Sequence, residues 1–219
     1  MFIGHFAVAL AAKRAAPRAS LGTLVLAAQF LDILWPVLLL AGLERVEIRP
    51  GDTAFTPLAF EHYPISHSLA TTLAWAAAFA AAYYGTTRYG RGALIVAALV
   101  ASHWVLDWIT HRPDLPLYPG GPLEGLGLWS SVPATLAVEV SMFAAGLALY
   151  LGTTRAKDAL GRWNAWAFAA FLALAYLGAA FGPPPPDVRA LAGSAFGVWL
   201  LVAWAWWVDR NRVPAPGAA

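Results

Sequence analysis

The sequence predicts an all-α polytopic membrane protein with about six transmembrane helices and a short half-inserted helix at the N-terminus. Of the 219 residues, 60% are hydrophobic and only 12% are charged, and the mean hydropathy of +0.61 is far above that of a soluble domain. The chain contains no cysteine, which excludes disulfides and thiolate metal sites. The net charge of +2 is too small to indicate a nucleic-acid partner, and no protein partner is recognisable.

The first apolar segment, Met1–Ala12, is too short to cross a hydrocarbon core. Lys13, Arg14 and Arg18 follow it directly, so the positive charges lie on the wrong side for a secretory signal peptide. We therefore predict a half-inserted or re-entrant helix that is retained in the mature protein.

Six later segments have the uncharged length of about 20 residues that a transmembrane helix needs, and each is bounded by charges, Gly or Pro. The predicted spans are Leu21–Leu43, Pro64–Tyr84, Gly92–Thr110, Ala134–Gly152, Asn164–Gly182 and Ala190–Val208. We expect residues 1–152 to form a domain with the chemical site. Residues 153–219 would add two transmembrane helices and a short tail within the same structural unit.

The distribution of Lys and Arg predicts the orientation in the cytoplasmic (inner) membrane. Segments 13–18, 85–91, 153–163 and 209–212 hold ten Lys/Arg, whereas loops 44–63, 111–133 and 183–189 hold four. Because positively charged loops remain in the cytoplasm, we expect the first set and the C-terminus to be cytoplasmic. The other loops carry seven acidic residues and would face the extracytoplasmic side.

Near the end of the span Gly92–Thr110, ionisable residues occur at every fourth position. They are His103 and Asp107 within the span and His111 just after it. At about 100° per residue they fall on one helix face. Charged groups inside an apolar helix are costly in hydrocarbon, and a helix often supplies metal ligands at such spacings. We predict that this stripe converges on one ion or substrate.

Three further polar residues are predicted to face the same outer half of the membrane. His67 lies about one turn, and Glu139 about two turns, below the outer ends of their helices. Asp32 is deeper, but Pro36 cannot donate to its carbonyl, and a kink there would turn the carboxylate towards the same cavity. Taken singly, Asp32 and Glu139 would equally suit hydrogen bonds between helices.

His62 and His67 are five residues apart and cannot share one helix face. Pro64, favoured in a first turn, places the start of the helix between them. His62 is then predicted to be a loop residue leaning over the site, or else a solvated neighbour of Glu61.

The order of these residues resembles the YdjM-like family of inner-membrane proteins, which are regarded as metal-dependent hydrolases. The similarity covers about residues 1–150 and depends on order more than on any single motif. It includes an early His, an acid in the next segment, a His-x4-His-Ser element from His62 to Ser68, and His-x3-Asp on a helix. The same order is similar to the metal ligands of zinc-dependent phospholipases C and single-strand nucleases.

Carried onto this chain, the resemblance implies that Asp32, His67, His103 and Asp107 bind one metal and that Asp107 bridges to a second held partly by His5. Zn suits this mixed N and O set best, with Mn or Fe as alternatives. His62, His111 or Glu139 would act as acid or base, or orient the ligands.

Two departures from the family pattern concern the substrate. The usual Pro-Asp-x-Asp is Leu31-Asp32-Ile33-Leu34 here, and the usual His-Arg-Gly is His62-Tyr63-Pro64. The second change removes an arginine suited to phosphate, and Arg112, beside His111, would compensate by binding substrate.

The resulting interpretation is a membrane-embedded metal-dependent hydrolase. We expect a phosphoesterase acting on a lipid or lipid-linked substrate from the outer leaflet. The alternative is an ion- or proton-coupled transporter that uses the same His/Asp/Glu cluster. The histidines all precede residue 112 and no internal repeat is visible, which favours a one-sided enzyme site over a transporter.

Overall fold

The computed structural model describes residues 1–216 and is mostly helical, as predicted. The helices are α1 (Ile3–Ala15), α2 (Leu21–Ala28), α3 (Phe30–Leu40), α4 (Pro64–His67), α5 (Leu69–Thr87), α6 (Gly90–Thr110), α7 (Val132–Thr153), α8 (Ala159–Phe181), α9 (Val188–Ala195) and α10 (Val198–Arg210). Three antiparallel pairs join β1 (Arg45–Ile48) to β2 (Leu58–His62), β3 (Leu115–Pro116) to β4 (Leu123–Glu124), and β5 (Thr154–Ala156) to β6 (Arg212–Pro214).

Within residues 1–216, four helical segments are long and apolar enough to cross a membrane: α6, α7, α8 and the α9–α10 run. The pair α2–α3 is a fifth if its two halves form one span. The predicted count of six is therefore not confirmed. The predicted span Pro64–Tyr84 lies outside this set because α5 is rich in Ala, Thr and Tyr and has only two Leu and no Ile or Val.

The bend in the first span lies at a different residue from the one predicted. Helices α2 and α3 meet at 52°, and the break between them is Gln29. Pro36 lies inside α3 and is not the break. As a result Asp32 lies in the first turn of α3, where the helix dipole favours a carboxylate.

Helix α1 lies in the interior of the bundle and packs against α7, α2 and α6. Phe6, Ala9 and Leu10 are almost fully buried. A Cβ at Gly146 of α7 would overlap the backbone oxygen of Ala7, so α7 approaches α1 backbone to backbone. The predicted helix Met1–Ala12 thus extends to Ala15 and is a central element. Its half-inserted placement stays a prediction.

Lys13 is buried rather than part of an exposed basic loop. Its Nζ donates to Asp209 Oδ2 at 2.7 Å and to the Ala19 carbonyl at 2.8 Å. The Asp209 carboxylate also accepts from the Leu21 backbone N–H and the Tyr150 hydroxyl. One ion pair therefore ties the end of α1 to the start of α2, to α7 and to α10.

The main hydrophobic core draws residues from both predicted regions of the chain. Phe6, Leu24 and Val100 come from residues 1–152, and Phe168 and Leu201 come from α8 and α10. A smaller core under the hairpin β1–β2 contains Trp35, Tyr63, Trp104 and Leu115. This second core packs the loops against the ends of α3 and α6.

The loops that were assigned to one side of the membrane lie together. Arg112 donates to Asp52 at 2.9 Å, and the Phe55 N–H donates to the Trp129 carbonyl at 3.1 Å, so loops 44–63 and 111–133 are in contact. At the other end of the bundle, strands β5 and β6 join segments 153–163 and 209–214. The side of the membrane that each end faces stays a prediction.

The close approach of α1 and α7 predicts the effect of two equivalent substitutions on one helix. Gly146→Ala should lower stability by about 1–3 kcal/mol, because the new methyl overlaps the backbone of α1. Gly152→Ala should be neutral or stabilising, because nothing lies within 4 Å and Ala has the higher helix propensity. Thermal unfolding in detergent measures both. Equal melting temperatures would contradict the close packing of α1 and α7.

Candidate metal centre

Four side chains from three parts of the chain meet in one cluster below the β1–β2 hairpin. Asp32 comes from the first turn of α3, His67 from the end of α4, and His103 and Asp107 from adjacent turns of α6. His67, His103 and Asp107 are buried, and the Asp32 side chain is 31% exposed. Asp32 therefore marks the accessible side of the cluster.

The distances between the four polar atoms match the size of a metal coordination sphere. His67 Nε2 lies 3.5 Å from Asp32 Oδ1 and 3.8 Å from Asp107 Oδ2. His103 Nε2 lies 3.6 Å and 3.1 Å from the same two oxygens. A tetrahedron with bonds of about 2.0–2.1 Å has edges of about 3.3–3.4 Å. The ligand atoms of Asp32, His67 and His103 all lie within 4.8 Å of one another, and Asp107 Oδ2 lies within 3.8 Å of both histidines, so the cluster offers three ligands for one Zn²⁺-sized ion and a fourth nearby.

The protonation of His103 is fixed by a backbone carbonyl. Its Nδ1 lies 2.7 Å from the Ala28 oxygen, which only accepts, so Nδ1 carries the proton. Nε2 of the neutral ring then presents a lone pair to the cluster. This atom is buried without a hydrogen-bond partner among residues 1–216, as expected for a metal ligand.

His67 is oriented by a chain of two further residues. The Ser66 hydroxyl donates to Glu44 Oε2 at 2.6 Å and therefore accepts from His67 Nδ1, also at 2.6 Å. Glu44 Oε1 accepts the backbone N–H groups of Ile65 and Ser66, each at 2.8 Å, at the start of α4. The His67 Nε2 lone pair consequently points to the cluster. A buried carboxylate in this position fixes the tautomer and the orientation of the ligand ring.

The second oxygen of Asp107 faces a different set of groups. Oδ1 lies 3.1 Å from His5 Nε2 and 2.5 Å from the Met1 ammonium. The His5 ring stacks on His103 with centroids 3.7 Å apart. His5, His103 and Asp107 thus form a second candidate metal group, which shares His103 with the group of Asp32, His67 and His103.

Comparison with known sequences identifies the family. The family described as YdjM inner membrane protein matches residues 1–184, most of the chain. The chain belongs to the YdjM inner membrane protein family. No curated protein and no solved structure matches it. With its several apolar helices, this YdjM protein is an integral membrane protein.

His111 does not join the cluster of the YdjM protein, although it continues the spacing of His103 and Asp107. Helix α6 ends at Thr110, and His111 adopts an extended conformation. Its Nδ1 donates to Asp114 Oδ1 at 2.9 Å, and its ring packs against Trp129 and Phe60. Of the three residues predicted to converge on one ion, His103 and Asp107 therefore lie in the cluster and His111 does not.

Tyr63 lies between His111 and the cluster. Its ring centroid is 5.3 Å from that of His67 and 6.1 Å from that of His111. Burial and the neighbouring Asp114 carboxylate raise the pKa of the Tyr63 hydroxyl well above its usual range, so the hydroxyl stays protonated and donates to Asp114 at 2.9 Å. His111 and Tyr63 share one carboxylate as acceptor.

Glu139 is fully buried, but it contacts helix α1 and not the side chains of the cluster. Its Oε2 accepts the backbone N–H groups of Phe2 and Gly4 at 2.9 and 3.2 Å. These groups belong to the N-terminal turn of α1, where a carboxylate is favourable. Glu139 thereby positions α1, and with it His5.

The other two predicted site residues lie at the surface. His62 is exposed and pairs with Arg45 in the β1–β2 hairpin, so the structure does not bring it to the cluster. Arg112 is 38% exposed in its side chain, donates to Asp52 and Asp114, and is likewise outside the cluster.

Four residues that were not predicted to belong to the site orient its side chains: Glu44, Ser66, Tyr63 and Asp114. Glu44 is separated from Ser66 by 22 positions, and no helical spacing links the two. The only local signal was the serine directly before His67.

The Glu44–Ser66–His67 chain predicts a selective loss of metal affinity. Glu44→Gln should weaken binding of Zn²⁺ by about 10–100-fold, the usual effect of removing an outer carboxylate from a ligand histidine. Glu47→Gln is the control, since Glu47 lies on β1, is exposed, and among residues 1–216 its carboxylate pairs only with Arg49. Zn²⁺ titration against a competing chelator gives both affinities. Equal affinities would show that Glu44 has no influence on the cluster.

Proposed function

We propose that this protein is a membrane-embedded metal-dependent hydrolase, a phosphoesterase acting on a lipid or lipid-linked substrate. The observation that carries the proposal is the cluster of Asp32, His67, His103 and Asp107, in which Nε2 of each histidine lies 3.1–3.8 Å from an oxygen of both carboxylates. Burying such groups without a cation is costly. Both histidines are also held with Nε2 free to bind.

The donor set favours Zn, with Mn or Fe as alternatives, because two imidazoles and two carboxylates form a mixed N and O site. A bound ion of this kind lowers the pKa of a water ligand and takes up charge that develops on a phosphoryl or carbonyl oxygen. His5 and Asp107 Oδ1 would help to hold a second ion in place of the Met1 ammonium, which lies 2.5 Å from the same oxygen.

The remaining residues are assigned by what they contact. Asp32 is the part-exposed ligand, so substrate approaches the cluster from its side. His111 lies outside the cluster, beyond Tyr63, so its proposed role is to orient Tyr63 through the Asp114 carboxylate that both residues contact. Glu139 is a positioning residue that acts through α1.

The proposed substrate follows from the location of the site. The cluster is built from α3, α4 and α6 inside a protein embedded in the membrane, next to the loops assigned to the outer side. A substrate that partitions into the bilayer reaches such a site from the side. Hence we propose a lipid or a lipid-linked molecule in the outer leaflet.

The proposed orientation predicts the labelling of two single cysteines. The chain has no cysteine of its own, so each introduced thiol is unique. Glu124→Cys, on exposed β4, should react with an impermeant thiol reagent in intact cells. Arg155→Cys, at the exposed residue of β5, should react only after the membrane is opened. The reverse pattern would place the site at the cytoplasmic leaflet.

The proposed hydrolase predicts different phenotypes for two buried carboxylates. Asp107→Asn keeps size but weakens ligation, so bound metal and hydrolysis of a lipid phosphoester should fall by more than about 100-fold, the upper end of outer-shell effects. Glu139→Gln should retain metal and slow turnover less, because its amide oxygen still accepts from α1. Elemental analysis and a phosphate-release assay measure the two quantities.

The metal content of the wild-type protein and of the Asp107→Asn variant separates the hydrolase from the transporter. A wild-type protein that is folded, metal-free and active would contradict the metal-dependent mechanism. If Asp107→Asn retains full metal content and abolishes only ion- or proton-driven uptake in vesicles, the cluster is a coupling site instead.

A further inference from the structure

The end of the bundle opposite the metal centre carries ten of the fourteen Lys and Arg residues of the chain, but only two acids. The segments at this end are 13–18, 85–91, 153–163 and 209–212. Of the two acids, Asp209 pairs with buried Lys13, and Asp158 accepts the Gly161 N–H at the start of α8. Eight of the ten basic residues are exposed. This end of the protein therefore presents a strongly positive surface.

Three of the exposed arginines come together at the turn between α5 and α6. The Arg18 guanidinium lies over the Tyr89 ring, 4.5 Å from its centroid, and thereby joins the α1–α2 loop to this turn. Arg88 directly precedes Tyr89, and Arg91 follows it by two positions. Arg18, Arg88 and Arg91 are called the arginine cluster below.

The arginine cluster has no carboxylate partner among residues 1–216. In this part of the chain, the Lys and Arg residues that form ion pairs are Lys13, Arg49 and Arg112. Neighbouring guanidinium groups repel one another, and an anion bound between them removes the repulsion. Guanidinium groups also match the geometry of phosphate oxygens and bind them with two parallel hydrogen bonds. The cluster therefore favours a phosphate group as its ligand.

The backbone of Arg88 also favours a role for its side chain in binding. Arg88 ends α5 in the left-handed conformation, with φ 53° and ψ 26°. No other non-glycine residue among residues 1–216 has a positive φ. Glycine is the usual residue at such a helix end, because a Cβ is unfavourable there. An unfavourable backbone conformation is often retained where the side chain has a function.

An apolar surface continues from the arginine cluster into the membrane. Leu94 lies three residues after Arg91 on the same side of α6 and is 73% exposed. Tyr84 lies one turn before Arg88 on α5, is 47% exposed, and has the Arg88 guanidinium 5.8 Å from its ring centroid. Because α6 is long and apolar enough to cross a membrane, Leu94 lies at the depth of the acyl chains and the arginines lie at the level of the headgroups. The phosphate group is therefore expected to carry hydrocarbon chains.

We infer that the arginine cluster binds the headgroup of an anionic phospholipid. The phosphodiester accepts hydrogen bonds from the guanidinium groups, and the acyl chains lie along Leu94 and Tyr84. A lipid bound in this way links the α1–α2 loop to the α5–α6 turn. The site is independent of the proposed hydrolase function, because it lies at the other end of the bundle from the metal centre.

Binding is measured by native mass spectrometry of the full chain in a nonionic detergent, titrated with dioleoyl phosphatidylglycerol. Dioleoyl phosphatidylcholine has the same chains and phosphodiester but no net charge, and glycerol phosphate has the phosphate without the chains. We expect phosphatidylglycerol to bind at least about 10-fold more tightly than either. This preference should decrease as the salt concentration rises, because salt screens exposed charges.

Four variants test the residues. Arg18→Gln and Arg91→Gln should each weaken binding of phosphatidylglycerol by about 5-fold, the effect of one basic residue beside an anionic headgroup. Arg88→Gly should weaken it by a similar factor while the melting temperature stays the same or rises, because glycine suits the left-handed backbone at this position. Arg162→Gln is the control, since it removes the same charge from an exposed position at the same end of the bundle. The control should change the affinity by less than about 2-fold.

Equal binding of the two phospholipids would overturn the anionic-lipid assignment, and equal binding of glycerol phosphate would replace the lipid by a free phosphate. A loss of affinity in Arg162→Gln as large as that in Arg91→Gln would also overturn the site, because only the overall charge would then matter. So would unchanged affinity in folded Arg88→Gly. The metal content should be the same in all four variants, so failure of the proposed hydrolase would leave these results unaffected.

Discussion

The need to compensate the buried carboxylate of Asp107 dominates the architecture of this protein. An ionised carboxylate in an apolar helix is very costly unless opposite charges or donors surround it. Here the Met1 ammonium and His5 Nε2 lie 2.5 and 3.1 Å from Oδ1, while neutral His103 and His67 direct Nε2 lone pairs towards Oδ2, where a bound cation would supply the opposite charge. Helices α1 and α4 therefore meet α6 at Asp107.

The same constraint explains the unusual position of α1. A short N-terminal helix that is apolar on most sides would ordinarily lie at the edge of a bundle. In this protein its first turn is held by Glu139, its His5 faces Asp107, and its Lys13 pairs with Asp209. Three buried polar contacts along one 13-residue helix fix both its depth and its rotation.

The site residues that could be predicted from the sequence are those identified by local spacing and by their order along the chain. His103 and Asp107 share a helix face because they are four residues apart, and the order of the histidines and acids, by resemblance, added His5, Asp32 and His67. The structure brings these five residues together. His111 left the stripe because α6 ends one residue before it, and helix ends are poorly specified by apolar periodicity.

What the sequence did not reveal depends on contacts between distant segments. The bend at Gln29 has no proline to mark it, and the prediction assigned it to Pro36 instead. Glu44 was counted only as a charge in an outer loop, whereas it is buried under His67. The position of Arg112 could not be predicted for the same reason, because its pairing with Asp52 is set by the folding of two loops.

The long-range contacts of α1 also bear on how the chain assembles during synthesis. This helix leaves the ribosome before α7 and α10, since the Glu139 carboxylate that receives its Gly4 N–H comes 135 residues later and the partner of Lys13 comes 196 residues later. Until α10 has entered the membrane, Lys13 has no carboxylate to neutralise it. The polar contacts that set the depth and rotation of α1 are therefore complete only when α10 has been added.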